Sequence, residues 1–166
     1  MTGVSRVQLV EEYGPAWSTG PYERGTDGPR VIVVGVDGSP TALRAGSYAA
    51  GLARRQGARL VVVYVAAPSM WTGLAAAGGA DVEQQTFEEI IEQLREELRP
   101  RAEELGVSIT FMVLRGEVFP ELRDAATEAN ADMVVIGASE QAGHRLVGSV
   151  ASRMVRAAVW PVVVVP

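Results

Sequence analysis

Four runs of β-branched residues, at 31–36, 60–65, 133–136 and 162–165, contain no polar residue at alternate positions. A strand with one face in water alternates apolar and polar. A strand that is apolar throughout must be covered on both faces, as happens in a parallel sheet with helices above and below. A fifth segment, Val107 to Leu114, reads as another strand, more mixed in character. The chain is therefore expected to form an α/β fold: a five-stranded parallel sheet, doubly wound, in three α/β/α layers.

The intervals between these runs carry helical periodicity. Ser39 followed by Pro40 reads as an N-cap with proline at the first helical position. Ala42, Ala45, Ala49, Leu52 and Ala53 then fall on one face, small enough for close packing on a sheet. The longest helix is expected from Val82 to Glu104, with Phe87, Ile91, Leu94, Leu98, Ala102 and Leu105 as its inward stripe and a kink at Pro100. Its glutamates form a solvated face. A third helix is expected from Pro120 to Asn130, and a last one from Ser149, its N-cap, to Ala158. Ala66 to Asp81, with Gly73, Gly78 and Gly79, reads as a loop bordering the carboxyl edge of the sheet.

In a doubly wound sheet, ligands sit beyond the carboxyl ends of the strands, where the strand order reverses. Two turns belong there. Gly35-Val36-Asp37-Gly38-Ser39 puts a carboxylate after the first run. Gly137, the stretch 138–147 and Gly148-Ser149 lead from the fourth run into a helix start. Free backbone N–H groups at such a start, reached through glycines, suit a phosphate.

Composition removes several alternatives. All 15 basic residues are arginine, so a Walker lysine, Schiff-base chemistry and the lysine of response-regulator receivers are absent. There is no cysteine, and His144 is the sole histidine, so no metal site is expected. A formal charge of −5 argues against nucleic acid as a partner. No run is long enough to cross a membrane and the first residues lack an apolar signal core, so a cytoplasmic location is expected. No nucleophile–base constellation is evident, and no catalytic residue is assigned. The His-x-Gly-His and Ser-Gly-Gly-x-Asp loops of nucleotidyl transferases and ATP pyrophosphatases of related fold are missing too.

From about residue 30 to 166 the chain resembles the universal stress proteins, through Val34-Gly35-Val36-Asp37-Gly38-Ser39 and the Gly148-Ser149 helix start followed by Trp160-Pro161-Val162-Val163-Val164-Val165. The resemblance implies a stress-response regulatory module that binds ATP or another adenine nucleotide, with Mg²⁺ only alongside the nucleotide and at most weak hydrolysis. It implies that Asp37 holds the adenosine end, Val65 meets adenine, and Gly137, Gly148, Ser149 and Val150 wrap phosphate. The chain departs from the family's phosphate loop in two ways. Glu140 replaces the second glycine, and the ten residues between Gly137 and Gly148 are two short of the pattern. A carboxylate about 6 Å from a phosphate oxygen costs on the order of 3 kcal/mol at an effective dielectric near 20. A helix N-terminus returns about 0.3–1 kcal/mol, so an outward Glu140 or a bridging Mg²⁺ is required. Gly143 offers some relief to the shortened turn, and His144-Arg145 is a further phosphate candidate. The alternative reading is a dimeric interaction protein of the same fold that binds no nucleotide.

The chain's last run has no helix after it, and an uncovered apolar strand invites pairing with a second copy. A homodimer through Val162 to Val165 is expected, as the resemblance also implies; a protein partner is left unspecified. Residues 1–29, punctuated by Gly14-Pro15, Gly20-Pro21 and Gly28-Pro29, read as an arm without continuous regular structure. It is partly disordered or packs, through Tyr13, Trp17 and Tyr22, on its own domain (30–166) or on a neighbour.

Overall fold

The computed structural model describes residues 6–17, 28–139 and 148–166, with residues 69–78 and 80 described by their backbone. In chain order the elements are β1 (Val7–Tyr13), β2 (Val31–Val36), α1 (Pro40–Gln56), β3 (Arg59–Ala66), α2 (Pro68–Leu105), β4 (Ile109–Arg115), α3 (Val118–Glu128), β5 (Met133–Gly137), α4 (Ser149–Ala157) and β6 (Val162–Val165). The sheet runs β1-β4-β3-β2-β5-β6. The five expected strands are present and mutually parallel. From β2 the chain moves outward through β3 and β4, then returns to place β5 on the other side of β2. The order therefore reverses between β2 and β5.

Successive residues of the central strands serve opposite layers, as the two-residue side-chain period demands. Ile32, Val34, Leu60, Val62 and Tyr64 face α1 and α2, packing on Ala45, Ala49, Ala53, Phe87, Ile91 and Leu94. Val31, Val33, Val61 and Val63 face α3 and α4, packing on Leu122, Ala125, Ala126, Ala151 and Met154. Ser39 caps α1 as expected, its Oγ accepting from Ala42 N at 3.2 Å.

Four expectations are corrected. The arm is not without regular structure: Val7–Tyr13 forms a sixth strand, antiparallel to β4. Its inward residues include Glu11, whose carboxylate accepts from Arg95 Nε at 2.9 and 3.0 Å, and Tyr13, which is buried. Arg6 reaches α3, 3.2 Å from Asp124, and Trp17 stacks under the Arg59 guanidinium at 5.0 Å. Second, the expected loop 66–81 is helical from Pro68 onward. Proline at the first helical position and the alanine run 75–77 favour helix there, outweighing a cost of about 1 kcal/mol per glycine. Third, this helix is interrupted at Gly79 (φ 79°, ψ −174°), not at Pro100. That conformation is open essentially to glycine alone. Fourth, Ser149 is the first residue of α4 and Gly148 occupies the cap position.

Candidate functional site

A cleft of about 450 Å³ opens at the carboxyl edge of the sheet, where β2 and β5 part. Gly35, Val63, Val65, Val118, Leu122 and Ile136 make an apolar wall from β2, β3, β5 and α3. Asp37, Ser39 and Thr41 come from the turn into α1. Gly137, Ala138, Ser139, Gly148, Ser149, Val150 and Ala151 come from the end of β5 and the first turn of α4. The six residues singled out in the sequence, Asp37, Val65, Gly137, Gly148, Ser149 and Val150, thus line one cavity. Two turns more than a hundred positions apart in the chain meet because β2 and β5 are lateral neighbours, with Val34 beside Val135.

Each wall has a local cause. Asp37 Oδ1 accepts from Ser39 N at 2.9 Å, and Gly38 takes φ +81°, so the carboxylate folds over its own turn. Among the described residues no hydrogen bond engages its other oxygen. Ser39 Oγ lies 3.2 Å from Thr41 Oγ1, joining the two hydroxyls at the start of α1. Below the sheet edge, burial first and then the Asp37 carboxylate push the Tyr64 phenol up from its usual value.

The glycines permit close approach. A Cβ on Gly137 would stand 2.7 Å from the Thr41 carbonyl carbon, so only glycine lets α1 start against the end of β5. A Cβ on Gly148 would meet that of Ser139 at 3.0 Å, so the chain leaves β5 and re-enters α4 through a narrow neck. Ala138 N is already committed to Val165 O at 2.7 Å. In α4 the first intrahelical bond runs from Ser152 N to Gly148 O at 2.9 Å, and no side chain caps the helix. The amides of Ser149, Val150 and Ala151 are left without an intrahelical acceptor.

Among the described lining residues Asp37 is the sole ionisable side chain. Among the described residues no group of three or more His, Cys, Asp or Glu could hold a metal ion. Glu140, Gly143, His144 and Arg145 lie outside the described residues. The sequence did not single out Thr41, Ser139 or Leu122 as lining residues. Leu122 could have been found from its helical spacing with Ala125 and Ala126; the other two carry no local signal.

A sequence model of the universal stress protein family matches residues 29–166. The chain belongs to that family. Universal stress protein MJ0531 of Methanocaldococcus jannaschii is 32% identical over 136 residues, which is 81% of this chain and 80% of that protein. Universal stress protein UspA of Lactobacillus plantarum shares the fold with a TM-score of 0.68 at 25% identity, over 82% of this chain and 97% of that one. The universal stress protein of Archaeoglobus fulgidus, solved in complex with dAMP, matches with a TM-score of 0.59 at 27% identity, over 81% of this chain and 96% of that one. The matched region begins just before β2 and leaves β1 outside the universal stress protein segment. Among the described residues no helix is long and apolar enough to cross a membrane.

Proposed function

We propose that this universal stress protein is a cytoplasmic regulatory module whose cleft binds an adenine nucleotide. One observation carries the reading: Asp37 and the uncapped start of α4 open into the same cavity, with an apolar wall between them. The base lies along Val63 and Val65, the free oxygen of Asp37 accepts from the sugar or base, and the amides of Ser149 and Val150 receive phosphate. The dAMP complex of the Archaeoglobus relative supports the ligand class. Mg²⁺ enters only with the nucleotide.

The module pairs with a second copy through β6. That strand ends the sheet, and its four valines are only half-buried within one chain. Val155 and Val159 beside it are 51% and 61% exposed.

The second reading, an interaction protein without a nucleotide, is favoured by the contact of Gly137 with Thr41: packing alone requires that glycine. Mass spectrometry of small molecules released from denatured, freshly purified protein separates the two. Adenine nucleotide at near one equivalent supports the first. A blank, with no thermal stabilisation by AMP, ATP or cyclic AMP, leaves the second.

A further inference from the structure

We infer that the arm holds the α3 wall of the cleft in place, with Arg6 as the positioning residue; its effect on a ligand rests on the adenine-nucleotide reading above. β1 runs antiparallel to β4, so Arg6, just before it, arrives at the carboxyl edge of the sheet, where the cleft opens. Arg115 N donates to Arg6 O at 3.0 Å and fixes the backbone there. The Arg6 guanidinium then crosses to α3. Nη1 donates to Asp124 Oδ2 at 3.2 Å and stands 3.7 Å from Glu121 Oε2, while Nη2 pairs with Glu128. The family segment begins at residue 29, so this tie comes from outside it.

Glu121, Asp124 and Glu128 follow one another at three- and four-residue steps and form one stripe of α3. Like charges at that spacing repel, and Arg6 is the cation that spans all three. Arg123 also reaches Asp124, at 2.8 Å, but among the described residues no second ion pair serves Glu121 or Glu128. The helix has need of the tie: it is 11 residues long and no side chain caps its start. Its position matters to the cleft because Val118 and Leu122 form part of the wall. A Cβ on Gly35 would stand 3.2 Å from Leu122 Cδ2, so α3 bears directly on β2 at that wall. On the neighbouring turn of chain, a Cβ on Gly116 would meet Glu121 Cγ at 2.8 Å, so the carboxylate that Arg6 approaches is itself wedged against the end of β4.

Arg6→Gln and Arg6→Lys in the full-length protein test this, by amide hydrogen exchange without ligand and by calorimetric titration with AMP. R6Q should speed exchange across Leu122 to Glu128 by about threefold or more, the scale of one partly exposed ion pair, and weaken AMP binding by a similar factor. The amides of Ala45 to Ala53 in α1 should keep the parent rate, and R6K should recover part of both losses. Unchanged exchange in α3 overturns the inference. Exchange that quickens equally in α1 and α3 also overturns it, because the change would then be a general loss of stability. Faster exchange in α3 with AMP bound as tightly as by the parent overturns the link between the arm and the cleft. A parent that binds no AMP removes the adenine-nucleotide reading, and the comparison of α3 with α1 still decides whether Arg6 holds the wall.

Discussion

Gly137 lies against the backbone of Thr41, so closely that a Cβ on the glycine would stand 2.7 Å from the Thr41 carbonyl carbon and 2.8 Å from Ala42 N. This contact joins the end of β5 to the first turn of α1 and sets the width of the cleft between them. The obstructing atoms are backbone within a capped helix start, so they have little room to move aside.

Gly137→Ala should therefore destabilise the fold by about 1–3 kcal/mol, as overpacking against fixed atoms does. Gly38→Ala is the contrast. Gly38 has φ +81° and no atom within 4 Å of the added methyl group, so only backbone strain of roughly 1–2 kcal/mol applies. Urea unfolding gives both values. A steric origin predicts that G137A also weakens nucleotide binding; equal binding by G137A and the parent would show that the cleft width does not depend on this contact.

The Glu11–Arg95 pair should make acid stability depend on the arm. Burial pushes the Glu11 carboxyl up, but Arg95 and the Tyr13 hydroxyl pull harder, leaving it below its ordinary value of 4.5. A depressed carboxyl contributes stability that is present above 4.5 and is lost as pH falls through the folded-state value. Glu11→Gln should flatten the loss of stability below pH 4.5, at a cost of roughly 1 kcal/mol near neutral pH for a partly exposed pair. Denaturant midpoints at several acid pH values provide the check.

Tyr13 carries the opposite sign. Burial first, then its hydrogen bond to Glu11, push the phenol up to about 12 from 10.0. Its contribution is present below pH 10 and is lost as pH rises toward 12. Ultraviolet difference titration should show Tyr13 ionising near pH 12 in the parent, and Tyr13→Phe should remove one tyrosine's share of the late absorbance change, leaving that of the buried Tyr64.

Removing residues 1–17 strips β1 from β4. Withdrawing the burial of Leu9 and Tyr13 should cost on the order of 3 kcal/mol or more, lowering the thermal midpoint by roughly 6–12 °C. The bared edge of β4 should also self-associate. Light scattering that shows the truncated protein as monodisperse as the parent would count against β1 as an edge cover.

If β6 is the pairing edge, Val155→Glu with Val159→Glu should weaken dimerisation at least tenfold, about 1.4 kcal/mol, without affecting the fold. Both side chains are exposed in the single chain, so no core contact is lost. Sedimentation at micromolar concentration distinguishes the outcomes, and an unchanged dimer would exclude this surface.

Much of this fold is legible from one-dimensional pattern because its central strands are buried on both faces. β2, β3 and β5 appear as unbroken apolar runs for that reason. β1 escapes the same reading because it is a mixed edge strand. At Val10-Glu11 the usual pattern is inverted: the valine is exposed, and the glutamate points inward toward Arg95, a residue 84 positions away. No local window contains that partner. The helix from Pro68 was hidden by its glycines, of which Gly79 interrupts the helical backbone.

Ionisation state, helix-start chemistry and the apolar character of the strands belong to the residues themselves, and they determined the layer architecture and the types of group available to a ligand. Which of those groups share a cavity was decided only by the tertiary structure. The reversal of strand order beside β2 brings Asp37 and Ser149 to one cleft, and the contact of Gly137 with Thr41 sets how far apart its walls stand. Those distances come from lateral strand pairing and interatomic contact between remote segments, neither of which is encoded in any short stretch of chain.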